Sequence, residues 1–342
     1  MKKINYVVLV VCFIFTTNVW AYNNPVEFLN EVSSFYKDIQ KRTWDYTSAV
    51  AKDKSARSID RKRTKLLEEY KEAIKMVKGL DSYKGDNSVN KAVLNYLELN
   101  YNVLSQDYAE IVDLEQIADE SYDNMEAYLK VQQEANKKMN GASEKLQETI
   151  KEFAEENDIK LEEAEETKMT QRLKKAASMW EYYNEVYLIF FKSYKQEFFM
   201  MEALNNGDFA GVEQNRESMI SYAQEGLKKL KEIKAFEGDN SLVVECKNIL
   251  NFYIEEGEKH IPILLDFYIK KDHFEEVNAS FEKLKKKDRT KERVDEYNNA
   301  VNDYNAAIKD FNKTNDNLNK MRSNALDSWN KTATKFTSKN VK

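Results

Sequence analysis

Two prolines and eight glycines are all that interrupt a chain of 342 residues, where ordinary usage is about 5% and 7%. Proline removes a helix hydrogen bond and glycine is the costliest residue to fix, so a chain nearly free of both propagates helices over long distances. Apolar spacing predicts helices at roughly 26–52, 57–79, 88–117, 119–155, 161–205, 210–234, 241–270 and 290–336, and no segment alternates with a period of two. The expected fold is therefore all-α, an elongated helical bundle with coiled-coil-like long helices.

Local punctuation agrees with these breaks. Pro25 suits a first helical turn, Asn206-Gly207-Asp208 suits a helix end, and Asp86-Asn87-Ser88 offers side-chain caps to the helix that follows. The last helix carries the clearest seam: Val294, Tyr297, Val301, Tyr304, Ile308, Phe311, Leu318, Met321, Ala325 and Trp329 step mostly by three and four. A smaller seam runs through Met139, Ala142, Leu146, Ile150 and Phe153.

A repeated phrase suggests how the helices are organised. Ile74, Val77, Leu80, Tyr83 and Gly85-Asp86-Asn87-Ser88 match Leu227, Leu230, Ile233, Phe236 and Gly238-Asp239-Asn240-Ser241 without a gap, 153 residues later. Duplication of a four-helix unit explains this, against chance similarity among helices. The expected organisation is a leader at 1–21, an N-terminal four-helix unit at 22–158 and a related C-terminal four-helix unit at 159–342.

The first residues have the layout of a secretory signal: Lys2 and Lys3, an apolar run from Val7 to Phe15, and Val19-Trp20-Ala21 before the cut. The run is shorter than the roughly 20 residues needed to span a bilayer, and no later stop-transfer segment follows, so no transmembrane segment is expected after cleavage. Export places the protein in the periplasm, at the cell surface or in the medium. Cys12 is preceded by Val11 rather than a small residue, which argues against a lipid-modified cysteine.

Losing residues 1–21 removes two lysines and no acid, taking the formal net charge from −6 to about −8. A mildly acidic surface argues against nucleic acid and anionic membranes as partners. Only Cys246 then remains, so an intramolecular disulfide is excluded and packing must supply the stability.

Motifs for chemistry are missing from the sequence. Di-iron bundles need Glu-x-x-His on two helices, but His260 has Gly257 three residues earlier and His273 has Lys270. Glu256 does lie four residues before His260, where a solvated polar pair is a better reading than a metal site. No zinc, nucleotide, serine-hydrolase or calcium-loop motif occurs, and 59 carboxylates are too many for their number to point to catalysis. No catalytic residue, metal or cofactor is expected.

Three features suit binding. The run from Trp180 to Met201 spreads Tyr183, Tyr187, Phe191, Tyr194 and other aromatics around a whole helix, which requires cover on several sides. Either both four-helix units supply that cover, or part of the surface is a groove for an apolar ligand or partner helix, with Trp44 and Tyr46 as a smaller candidate of the same kind. Two basic stretches, around Arg57, Arg61, Lys62, Arg63 and Lys65 and around Lys285-Lys286-Lys287, Arg289, Lys291 and Arg293, suit a polyanion or else are charged helix starts balanced by neighbouring acids.

The stretches Thr43-Trp44-Asp45-Tyr46-Thr47-Ser48-Ala49-Val50-Ala51, Ser55-Ala56-Arg57, Asn184-Glu185-Val186-Tyr187-Leu188-Ile189-Phe190-Phe191-Lys192-Ser193-Tyr194-Lys195-Gln196-Glu197 and Arg289-Thr290-Lys291 resemble a family of exported bacterial surface proteins. That family is named after a Leptospira member and is also found in Bacteroidetes. The resemblance runs along most of the chain after the leader and implies surface or extracytoplasmic placement. It carries no assigned activity and no catalytic residue.

Together these features predict a non-catalytic exported helical protein that binds a protein or cell-surface component, or contributes to the cell surface. The alternative is a carrier of an apolar small molecule in an aromatic-lined groove.

Overall fold

A computed structural model describes residues 24–52, 54–107, 118–161 and 167–341. The expected leader, the end of the helix expected at 88–117 and residues 162–166 of the helix expected at 161–205 lie outside these residues. The described chain is an all-α bundle, and no helix among its residues is long and apolar enough to cross a membrane.

Helices α1 (Pro25–Val32) and α2 (Tyr36–Ala51) replace the single helix expected at 26–52. Asn24 caps α1 by accepting from the Val26 amide at 2.9 Å, with Pro25 in the first turn. At the break the Ser33 hydroxyl and amide both donate to the Leu29 carbonyl, at 2.6 and 3.1 Å, and the ladder then gives way to the shorter Ser34-to-Glu31 and Tyr36-to-Ser33 bonds.

Helix α3 (Ala56–Lys78) turns into α4 (Ser88–Asn102) through Lys84 (φ 50) and Gly85 (φ 87), two successive left-handed residues. Glycine at the second position relieves the strain of this tight turn. Asp86 Oδ1 accepts from the Ser88 amide at 2.8 Å, so of the three expected capping residues it is Asp86 that supplies the bond, and Asn87 makes no side-chain cap. The chain then enters a π-helical turn, Val103–Asp107. Arg63 donates to the Leu104 carbonyl at 3.4 Å, within this turn, and is itself held by Asp60 at 3.0 Å.

Helices α5 (Tyr122–Glu156), α6 (Lys168–Asn205) and α7 (Phe209–Lys229) come next. Asn206-Gly207-Asp208 ends α6 as expected, with Gly207 at φ 72 and Asp208 accepting from the Gly211 amide at 3.0 Å to cap α7. After α7 the tight turn recurs at Glu237 (φ 48) and Gly238 (φ 83), followed by α8 (Ser241–Glu255) and a second π-helical turn, Glu256–His260. Arg216 donates to the Gly257 carbonyl at 3.2 Å and pairs with Glu213 at 2.6 Å.

The chain continues as α9 (Ile261–Glu282), beyond the end expected at 270, and closes with α10 (Lys291–Asn340). The extension follows from Phe274 and Phe281, which continue a seven-residue spacing from Phe267 and stack on α10.

The chain packs as two compact units: residues up to Asn184 with Thr334–Lys342, and Glu185–Ala333. Residue 158, expected as the unit boundary, is the left-handed Asp158 (φ 53) that follows α5. In the first unit α2, α3, α4 and α5 pack in sequence around Ile39, Tyr46, Leu66, Val93, Leu97 and Ile150. In the second, α7 packs on α8 around Met219, Ala223, Cys246, Ile249 and Leu250.

Candidate functional site

The most unusual chemistry lies at the second π-helical turn. Glu256, its first residue, is fully buried, and Glu197 on α6 is 8% exposed. Arg322 on α10 reaches both: its Nε lies 2.7 Å from Glu197 Oε1 and 2.8 Å from Glu256 Oε1, and its Nη2 also pairs with Glu256. One guanidinium therefore ties three helical elements of the second unit.

Two carboxylates and one cation in a dry interior leave an excess negative charge, which is costly unless a proton is retained. Burial pushes the Glu256 carboxyl up to about 8, only partly opposed by Arg322 and reinforced by the neighbouring Glu197. Burial raises Glu197 as well. With one proton on Glu256, the Glu197 carboxylate and the guanidinium balance. Glu256 Oε2, the Tyr253 hydroxyl and His260 Nε2 have no hydrogen-bond partner among the described residues. The arrangement can hold and release a proton, while its burial denies a substrate access to Glu256.

The aromatic candidates are placed differently. Trp180 is 6% exposed and meets the edge of Tyr183 at 5.4 Å, Tyr183 being half-buried. Tyr187 stacks on Phe191 at 5.6 Å, and Phe191 is buried. Tyr194 is half-buried and stacks on Phe190, which itself stacks on Trp329 at 4.4 Å. Trp44 is half-buried beneath the Arg172 guanidinium, and Tyr46 is 1% exposed. Among the candidates on α6, Trp180 packs on Tyr183, and Phe191 packs on both Tyr187 and Tyr194.

Comparison with protein-family models, curated proteins and solved structures finds no match for the chain. Its own geometry must carry the functional argument. Burial pushes the Cys246 thiol far up, so it sits in the core as an apolar side chain rather than a nucleophile.

The two basic stretches also separate. In the first, Arg63 pairs with Asp60 at 3.0 Å and Lys62 lies 3.9 Å from Asp45, so acids meet two of its five basic residues. In the second, Lys285, Lys286, Lys287 and Lys291 are all exposed, at the end of a hairpin formed by α9 and α10.

That hairpin is an antiparallel pair with an aromatic seam. Phe267 meets Phe311 at 4.5 Å, Phe274 stacks on Tyr304 at 5.0 Å, and Phe281 stacks on Tyr297 at 4.6 Å. From Asp266 to Asn317 the only buried side chains are Ala300 and Ala307. The two helices thus form an arm with no core beyond their shared seam.

Sequence reasoning missed Glu197 and Arg322, and took Glu256 for part of a solvated pair. A usable signal was present: at the repeat spacing of 153 residues, Glu197 falls opposite Trp44 and Glu256 opposite Val103. Both positions lie outside the matched phrase, where a charge opposite an apolar residue marks either a surface or a buried pair.

Proposed function

We propose that this is a non-catalytic exported helical protein that binds a partner or contributes to the cell surface, and that the α9–α10 arm is its contact element. The observation that carries the reading is the arm itself: two helices held by an aromatic seam, with exposed side chains along both and exposed lysines at its end. Helices that bury so little inside their own fold are suited to presenting a surface.

We also infer that the chain arose by duplication of one helical unit. In support, α4 and α8 are each 15 residues long and begin 153 residues apart, at Ser88 and Ser241. The left-handed turns before them, the π-helical turns after them and the arginines that brace those turns recur at the same spacing. On this reading the arm is an elaboration of the second copy.

Site-specific photo-crosslinking in producing cells tests the contact element. A crosslinker at Glu276 or Ser280 on the arm should give discrete adducts, and one at Lys138 on α5 should not. No adducts from the arm, or equal adducts from both places, would sink the assignment. Fractionation of the same cells must recover the protein outside the cytoplasm.

A further inference from the structure

Seven basic and two acidic residues lie within 283–293 of a chain whose formal net charge is −6. All are exposed, and Leu284 between them is half-buried. The end is ordered rather than loose: a short 3-10 turn spans Lys286–Asp288, the Asp288 amide donates to the Lys285 carbonyl at 2.8 Å, and Arg289 lies over the Phe281 ring at 4.6 Å. Arg293 is engaged by Glu296 at 3.1 Å. What faces outward is chiefly lysine.

We propose that this end of the arm docks on an anionic phospholipid surface, an assignment that rests on the arm being the contact element. Two observations favour a lipid plane over an anionic polymer. The charges sit at the turn between two helices, where they are gathered at one end of the arm and can meet a plane together. Lysine ammonium groups act as point charges suited to scattered headgroup phosphates, whereas bidentate recognition of a polymer uses arginine, and both arginines at the end are already engaged. The large apolar side chains that are exposed in the described chain all lie outside 283–293, so docking is electrostatic adsorption without insertion. The acidic net charge of the remainder then turns the molecule so that this end leads.

The test is co-sedimentation of the purified protein with vesicles of phosphatidylglycerol and phosphatidylcholine, and with phosphatidylcholine alone. Binding should require phosphatidylglycerol and vanish at about 0.5 M salt. The K285E/K286E/K287E variant should lose at least about 100-fold in affinity, and K137E/K138E on α5 should lose none. Thermal melting checks folding, and if the glutamate variant does not fold, K285Q/K286Q/K287Q decides with the same direction of loss.

Equal binding to neutral vesicles, or parental binding by the tip variants, overturns the proposal. Soluble polyphosphate that binds more tightly than the vesicles overturns it in favour of a polymer. If vesicles are not bound while Glu276 or Ser280 still crosslinks to an envelope protein, the lipid assignment falls and the arm reading stands; with neither, both fall.

Discussion

At Glu256, buried beside Glu197 and Arg322, a raised carboxyl makes the second unit sensitive to pH. Its folded value lies near 8, well above the usual 4.5, because burial disfavours the charged form. The folded state therefore keeps a proton that the unfolded chain releases, so the stabilisation is complete below about pH 4.5 and is lost as pH rises through about 8. A tenfold change in proton affinity corresponds to about 1.4 kcal/mol, so the stability of the protein should fall by roughly 3–5 kcal/mol across that window. Denaturant titrations at several pH values should show the slope, and Glu256→Gln, which copies the protonated form, should flatten it. A slope unchanged in the variant would contradict this account. Arg322 adds a second expectation: Arg322→Met strands two buried carboxylates and should cost about 3–5 kcal/mol, whereas combining it with Glu197→Met and Glu256→Val should recover most of the loss. A triple variant no more stable than the single one would mean that the ion cluster is not what Arg322 supports. Apolar periodicity could not reveal this cluster, because Glu197, Glu256 and Arg322 are far apart in the chain; only the 153-residue repeat, which sets Glu197 opposite Trp44 and Glu256 opposite Val103, points to two of the three.

At the scale of elements, the π-helical turns show how closely helices can approach. A Cβ added at Gly257 would lie 2.8 Å from Ile220 Cγ1 and Cδ1 and 3.1 Å from the Met219 methyl, so α7 packs directly on the turn's backbone. Gly257→Ala should destabilise by about 1–3 kcal/mol through overpacking. Gly141 on α5 has nothing within 4 Å of such a Cβ, and Gly141→Ala should stabilise by about 0.5–1 kcal/mol by raising helix propensity. Melting curves of the two variants moving in the same direction would refute the packing argument. Most elements were legible in sequence because their signals are local: Asn206-Gly207-Asp208 ends α6, and the seam from Val294 to Trp329 lies along α10. The break at Ser33 and the π-helical turns were not. The first is a switch from the four-residue ladder to shorter bonds at Ser34 and Tyr36, which apolar spacing does not register, and the turns are braced by arginines forty-one residues earlier in the chain.

Across the whole molecule, the arm is the part whose removal the fold should tolerate. Replacing residues 271–307 with a short Gly/Ser turn keeps the Phe267–Phe311 pair at the arm's base and removes only Ala300 and Ala307 from the buried set. The melting temperature should change by a few degrees at most, while adsorption to anionic vesicles is lost. A deletion that unfolds the protein would show that the arm is structural. The amino-acid sequence by itself determined the all-α class, most helix positions, the tight turns and the aromatic seams, because residue propensity and apolar spacing act over one or two helical turns. Only the tertiary structure decided which charges are interior and which aromatics are core. Burial is set by helices that meet from distant parts of the chain: it enclosed Glu256 beside Arg322, covered Trp180 and Phe191, and left the lysines at the end of the arm facing outward.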